Sequence, residues 1–215
     1  MNQPPKEPIF TAPWPAMTLI GLILGLYALQ STFGTDEVLV YWFGLNPAQL
    51  SVATSYNLVT SLFLHGNWGH ALLNGFFALA FVSGVSRAFG TNAAGATSFF
   101  IYYIVCGVAA GLMYCAVYPD RYVYLIGASG AVSGLMGAAI RLGPGYLLPF
   151  TNRRVVGMTL AWVLINILSA FVNITPGSGP IAWEAHIFGY AFGLLTIGIW
   201  LRLFHKSFFH VNLTF

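Results

Sequence analysis

Six long apolar segments constrain the fold of this chain more than any other feature. A helix needs about 20 apolar residues to cross the hydrocarbon core of a bilayer, with a range of roughly 17–25. The segments that come close are Ala16–Phe33, Gly69–Ser86, Gly95–Tyr118, Ala128–Leu142, Val155–Val172 and Ala185–Phe204. Only 6% of the 215 residues are charged, whereas soluble domains carry about 25%. The sequence therefore predicts an all-α polytopic membrane protein with six spans.

Two segments depart from the pattern of a simple span. Ala128–Leu142 rises only about 22 Å as a helix. Either one of its ends lies below the membrane surface, against protein or a water-filled cavity, or the chain after it completes the crossing. The segment Gly34–Trp68 is too apolar for a solvated loop, and Gly and Pro interrupt it too often for a span. We expect this first loop to form an interfacial structure in the headgroup layer.

No linker divides the chain, so we expect a single membrane domain over residues 1–215. Lys and Arg are enriched on the cytoplasmic side of membrane proteins, and here they collect on one side of the predicted topology. That side holds Lys6, Arg87, Arg141, Arg153, Arg154, Arg202 and Lys206, and the other holds Arg121. The tails 1–15 and 205–215 are therefore expected to be cytoplasmic. The basic residues form no stripe that would bind nucleic acid.

Placing a polar side chain at membrane depth costs free energy, so polar residues found there are candidates for a functional role. Here they lie near the N-terminal ends of the second, fourth and sixth spans, which all run in the same direction. In the second span, His70 and Asn74 are four residues apart and share a helix face. Both can donate hydrogen bonds to an oxyanion. The other interpretation of this pair is a polar clamp between helices.

The fourth span opens with Gly-x-Ser-Gly, in which Gly127 and Gly130 flank Ser129. The glycines leave room for a substrate carbonyl. The helix N-terminus offers a free backbone N–H to a developing oxyanion. The other interpretation is a helix-capping serine followed by a small packing face that includes Gly134.

In the sixth span, His186 begins a helix stripe that continues through Gly189 and Gly193. If this glycine face packs against the small face of the fourth span, His186 can reach the hydroxyl of Ser129. Serine is a poor nucleophile without an adjacent base, and histidine suits that role. A lone histidine would more readily be structural, but three polar groups at one depth favour a shared catalytic site.

Carboxylates are missing at this depth, because Asp120 lies in a loop and Glu184 faces another side of its helix. The sequence therefore predicts a Ser129–His186 dyad without an acidic third member. Aromatic, hydroxyl or backbone groups are expected to orient the imidazole, through a hydrogen bond or through Tyr190.

Taken in order, these motifs resemble those of the rhomboid intramembrane serine proteases. That family has His-x4-His-x3-Asn on its second helix, Gly-x-Ser-Gly at the start of its fourth and Ala-His-x2-Gly-x3-Gly on its sixth. The matching residues here are His65, His70 and Asn74, then Gly127–Gly130, then Ala185–Gly193. The resemblance covers residues 16–204 and implies a six-helix rhomboid-like bundle.

The resemblance also implies a role for each site residue. Ser129 is the expected nucleophile and His186 the expected general base. The expected oxyanion hole consists of His70, Asn74 and the backbone N–H of Ser129. The expected supporting residues are His65, Gly127 and Gly130, and His65 would help to hold water and the first loop near the site. No cofactor or metal is expected.

The substrates implied by the resemblance are transmembrane proteins, which the enzyme would cut within or beside a membrane helix while surrounded by membrane lipids. Water is expected to reach Ser129 from the outer side, through a cavity beneath the first loop and a fifth-loop cap, Asn173–Trp183. The implied location is a bacterial inner membrane, with both termini cytoplasmic. The oligomeric state is left open.

The sequence departs from the family pattern at two places. Tyr56 and Asn57 stand where many members have a Trp-Arg pair, which bears on how the first loop is anchored. Ser133 stands where an aromatic residue often lies against the catalytic histidine.

Two alternative functions stay open. One is a catalytically inactive rhomboid-like protein that binds membrane clients without cutting them. The other is a metal or haem site built from His65, His70 and His186, although the chain lacks the His-Glu-x-x-His pair of zinc proteases.

Overall fold

A computed structural model describes residues 12–33, 36–171 and 182–210. Within these residues the α-helices are α1 Trp14–Thr32, α2 Asp36–Phe43, α3 Asn57–Thr60, α4 Trp68–Phe89, α5 Ala93–Val117, α6 Ser129–Ile140, α7 Arg153–Ser169 and α8 Trp183–Phe204. Short 3₁₀ turns lie at Pro47–Gln49, Ser61–Phe63 and Lys206–His210. The helical bundle confirms the predicted fold class.

The helices α1, α4, α5, α6, α7 and α8 match the predicted spans in order, each within a helical turn of the expected ends. Among the described residues, α1, α4, α5 and α8 are long and apolar enough to cross a membrane. The chain is therefore an integral membrane protein. The other two are shorter, with 12 residues in α6 and 17 in α7. The predicted end of the fifth span at Val172 lies outside the described residues.

Asparagine caps explain why three of the helices begin earlier than expected. The side-chain oxygens of Asn67, Asn92 and Asn152 accept backbone N–H bonds at the starts of α4, α5 and α7. A cap satisfies a backbone donor that the first helical turn leaves without a partner. The helices therefore begin at these polar caps, ahead of the first residue of the apolar run.

The short helix α6 lies at the centre of the bundle, in contact with α4, α5, α7 and α8. All of its residues except Ser129 and Ala139 are buried. Its 12 residues rise only about 18 Å. As expected for the fourth span, its short length is accommodated by surrounding protein.

Glycines bring α6 and α8 into backbone contact. A Cβ added at Gly189 would overlap the carbonyl oxygen of Gly130, and one at Gly193 would overlap that of Gly134. Small residues allow this close approach of two helices. The predicted packing of the two glycine faces is therefore confirmed.

The first loop folds into α2, α3 and two of the 3₁₀ turns. Its anchoring contacts use residues other than a Trp-Arg pair. The Tyr56 hydroxyl donates to the Trp42 carbonyl at 3.1 Å, and a backbone bridge joins Leu45 to Leu125, just before α6. These contacts fix the loop beside the start of α6. Its position in the headgroup layer stays a prediction.

Parts of the predicted tails and cap lie outside the described residues. This applies to 1–11, 211–215 and most of the fifth-loop cap Asn173–Trp183. α1 begins at Trp14, inside the predicted N-terminal tail. In the predicted C-terminal tail, Phe208 and Phe209 pack against the core. The single domain, the cytoplasmic tails and the cap stay predictions.

Candidate active site

Ser129 is the first residue of α6, and the chain turns sharply just before it. Gly127 has a φ of 116°, in the left-handed region that favours glycine. Its N–H donates to the Ser61 carbonyl at 2.9 Å. A Cβ at Gly127 would lie 2.6 Å from Nε2 of His70. Glycine is therefore required both for the turn and for the close approach of the His70 ring to the start of α6.

His186 lies in the first turn of α8 and reaches across to Ser129. Its Nε2 is 2.7 Å from the Ser129 Oγ. The backbone contact between α6 and α8 makes this distance possible, because glycines keep the two helices close just beyond the pair. A hydroxyl within hydrogen-bond reach of an imidazole is the arrangement of an activated nucleophile and its base.

The second ring nitrogen of His186 contacts a residue that the sequence analysis missed. Its Nδ1 is 2.8 Å from Oδ1 of Asn166, a buried residue on α7. The expectation that an aromatic, hydroxyl or backbone group orients the imidazole is wrong at this nitrogen, where a side-chain amide makes the contact. The Tyr190 hydroxyl instead lies 2.8 Å from the Thr159 hydroxyl.

One sequence signal could have identified Asn166. It is a polar residue within the otherwise apolar run Leu-Ile-Asn-Ile-Leu of the fifth span. Because a polar side chain at membrane depth costs free energy, Asn166 is a candidate for a functional role, as His70 and Ser129 are. Asn166 lies in the fifth span, whereas the site was predicted from the polar residues of the second, fourth and sixth spans.

A cavity of about 400 Å³ lies between the first loop and helices α4, α5, α6, α7 and α8. The polar side chains that line it include His70, Asn74, Ser129, Asn166 and His186. The Asn74 amide nitrogen donates to the His70 carbonyl at 3.0 Å. A side-chain amide has two N–H donors, so this bond leaves a second donor on Asn74. The structure thus brings the predicted oxyanion donors and the nucleophile to one cavity.

His65 lies behind His70 and is 0% exposed. The two rings meet edge to face with centroids 5.2 Å apart. The Gln30 side chain holds both the backbone N–H and the carbonyl of His65, at 3.2 and 2.8 Å. Burial, and secondarily the neighbouring His70, lowers the pKa of His65 to about 3, so its imidazole is neutral. Through its bonds to Gln30, His65 therefore joins the end of the first loop to α1.

The nearest acidic residue along the chain is engaged elsewhere. Glu184 forms an ion pair with Arg121, with a nitrogen–oxygen distance of 3.5 Å. Arg121 also donates to the Tyr114 hydroxyl at 2.8 Å. Both ring nitrogens of His186 are hydrogen bonded to neutral side chains. In the part of the chain that the structure describes, the imidazole therefore has a hydroxyl and an amide as its partners.

The same two bonds bear on the metal-site alternative. With one nitrogen bonded to Ser129 and the other to Asn166, His186 has no free lone pair for a metal ion. The described residues also contain no group of three His, Cys, Asp or Glu side chains placed to hold one.

A comparison with protein families agrees with this geometry. The family model of the rhomboid domain matches residues 53–204, a range that contains every residue of the candidate site. No match was found among the curated proteins with which the sequence was compared. Most rhomboid proteins are serine intramembrane proteases, and some are inactive. Because the match extends over most of the chain and over α4–α8, the chain belongs to the rhomboid family.

Proposed function

We propose that the protein is a serine endopeptidase that cleaves other membrane proteins within or beside their transmembrane helices. The observation that carries this proposal is the 2.7 Å contact between Ser129 Oγ and His186 Nε2. The pair borders a cavity that also holds two candidate oxyanion donors, His70 and Asn74. An inactive client-binding protein would need no such contact.

In the proposed reaction, Ser129 Oγ attacks the scissile carbonyl while His186 Nε2 takes the hydroxyl proton. The oxyanion that forms accepts hydrogen bonds from His70, Asn74 and the backbone N–H of Ser129. Collapse of this intermediate breaks the C–N bond, and the leaving amine takes the proton from His186. Water then attacks the acyl-enzyme with His186 as base, which releases the acid product and restores Ser129.

The proposed setting follows the charge distribution of the sequence. Lys and Arg collect on one side of the predicted topology, so in the proposed orientation both termini are cytoplasmic and the cavity opens to the outer side of the membrane. A bacterial inner membrane is the location that the resemblance to the family implies. The partners are transmembrane substrates and the surrounding lipids, and the reaction requires no cofactor and no nucleic acid. The apolar surface of α7 beside the cavity suits a substrate that arrives within the bilayer.

The test combines fluorophosphonate labelling with proteolysis of a panel of transmembrane substrates in liposomes. We expect a covalent adduct on Ser129, located by mass spectrometry, and cleavage that Ser129→Ala abolishes. Ser133→Ala provides a matched control, because Ser133 lines the same cavity one turn further along α6. This variant should keep the adduct on Ser129. A folded wild-type protein that is neither labelled nor able to cut any substrate would instead be an inactive member of the family.

A further inference from the structure

The bond between Asn166 and His186 supports an inference that rests on the proposed protease function and goes beyond the serine–histidine pair. We propose that Asn166 is a positioning residue. It completes a Ser129–His186–Asn166 triad and selects the imidazole tautomer that can act as a base.

The first step is the orientation of the Asn166 amide, which its own helix fixes. The amide nitrogen donates to the Trp162 carbonyl at 2.8 Å. A backbone carbonyl can only accept, so the NH₂ end of the amide must face Trp162. The oxygen end therefore faces His186, at 2.8 Å from Nδ1.

The second step is the tautomer of His186. An amide oxygen can only accept, so Nδ1 of His186 must carry the proton. In a neutral imidazole the other nitrogen, Nε2, then carries the lone pair that accepts a hydrogen bond. That lone pair lies 2.7 Å from the Ser129 Oγ, so the serine hydroxyl is the donor. The three hydrogen bonds therefore form one chain: Ser129 donates to His186, and His186 donates to Asn166. Asn166 in turn donates to the Trp162 carbonyl.

The third step concerns the placement of this amide on α7. Asn166 is 3% exposed, and the buried residues of α7 are Val155, Trp162 and Asn166. A buried amide that lacks partners destabilises the fold, whereas here both ends are bonded. Elsewhere α7 contacts its neighbours through apolar side chains and through the Thr159–Tyr190 hydrogen bond. Asn166 is thus the buried polar group of α7 that faces the reacting residues.

The fourth step is the effect on the reaction. When His186 accepts the proton of Ser129, the ring becomes an imidazolium and its Nδ1–H becomes a stronger donor. The bond to Asn166 then becomes charge-assisted and strengthens as the transition state forms. Interactions that are stronger in the transition state than in the ground state raise kcat. Asn166 is therefore expected to contribute to kcat more than to KM.

The experiment compares three variants of the full chain in liposomes, with kcat and KM measured separately. Asn166→Leu keeps a similar volume but removes the acceptor. We expect it to lower kcat about 10²-fold, with KM within about twofold of wild type. Asn166→Asp restores an acceptor at the same position and should recover kcat to within about tenfold of wild type.

The matched control is Thr159→Val. It removes another hydrogen bond between α7 and α8, the bond to Tyr190, without touching the imidazole. Its kcat should stay within about twofold of wild type. If Thr159→Val loses as much activity as Asn166→Leu, or if Asn166→Leu keeps the wild-type kcat, Asn166 only joins the helices and the inference is overturned. The protease function would stand in either case.

A second measurement covers the outcome in which Asn166→Leu does not fold. In ¹⁵N NMR spectra of wild-type protein labelled at histidine, the signals of His186 are identified by their loss in His186→Gln. We expect the pattern of an imidazole protonated at Nδ1, and protonation at Nε2 alone would overturn the inference. If wild-type protein neither cleaves nor takes the fluorophosphonate on Ser129, the proposed function itself fails, which is a separate result.

Discussion

α8 packs against α6 and against α7 in different ways. Against α6 the backbones touch, because a Cβ at Gly189 or Gly193 would overlap a carbonyl oxygen. Against α7 the contacts are made by side chains. They include the Thr159–Tyr190 hydrogen bond, the stacked rings of Trp162 and Tyr190, and the Asn166–His186 hydrogen bond.

The difference divides the candidate site between a tightly packed part and a loosely packed part. Nearly all of α6 is buried, whereas most side chains of α7 are exposed or only partly covered. Ser129 and His186 lie on the two helices whose backbones touch, so the distance between them is fixed by the fold. Asn166 lies on α7, so the orientation of the imidazole depends on the position of a helix that is held by few contacts.

The largest effect is expected where the glycine interface is broken. Gly193→Ala places a Cβ on the Gly134 carbonyl oxygen. Overpacking lowers the free energy of unfolding by about 1–3 kcal/mol and occasionally more. An overlap with backbone atoms should cause a loss at the upper end of that range. We expect a loss of folded protein after detergent extraction, measured by size-exclusion chromatography and thermal unfolding.

The matched control for this change is Gly157→Ala on α7, where a Cβ meets nothing within 4 Å. Alanine is a better helix former than glycine by about 1 kcal/mol, so this variant should be at least as stable as wild type. Equal stability of the two variants would contradict the described contrast between the interfaces.

A smaller effect, chiefly on rate, is expected from Asn74→Ala on α4, whose side chain lines the same cavity as Ser129 and His186. Loss of one oxyanion donor lowers kcat about 10²–10³-fold. The Asn74 amide also bonds to the His70 carbonyl, so thermal unfolding must be measured beside kcat. Phe76→Ala serves as the control, because this exposed residue lies on the same helix. If Asn74→Ala keeps the wild-type kcat, Asn74 is not part of the proposed oxyanion hole.

The smallest effect is expected in the loosely packed interface. A double-mutant cycle of Thr159→Val and Tyr190→Phe isolates the hydrogen bond between their hydroxyls. Hydrogen bonds between membrane helices contribute about 0.6 kcal/mol on average in such cycles. We expect a coupling energy of that size from unfolding in detergent. A coupling of several times this value would mean that α7 is held as firmly as α6.

The features that sequence could predict are those set by local pattern. Apolar length predicted the spans, and glycines at helical spacing predicted how His186 and Ser129 meet. Asn166 stands out in the sequence as a polar residue at membrane depth, but its contact with His186 could not be predicted. That contact depends on the rotation of α7 about its own axis, which tertiary packing decides. His65 was predicted as a supporting residue, but its position behind His70 was not, because that position follows from the bonds that its backbone makes with Gln30.

The structure of the first loop could not be predicted from the sequence either. Gly and Pro interrupt its apolar pattern, so no helix period was visible, yet α2 and α3 form there. The loop is held by contacts distant in sequence, such as the backbone bridge between Leu45 and Leu125.

The short length of α7 has a consequence for the surrounding lipid. Its 17 residues rise about 26 Å, whereas a typical hydrocarbon core is about 30 Å thick. α6 is shorter still but is enclosed by protein, so hydrophobic mismatch with the bilayer acts on α7, through local thinning or a change of tilt. Asn166 lies in the last turn of α7 and bonds to the imidazole. If Asn166 orients the imidazole as proposed, the acyl-chain length of the lipid affects the rate of cleavage, although no lipid takes part in the reaction.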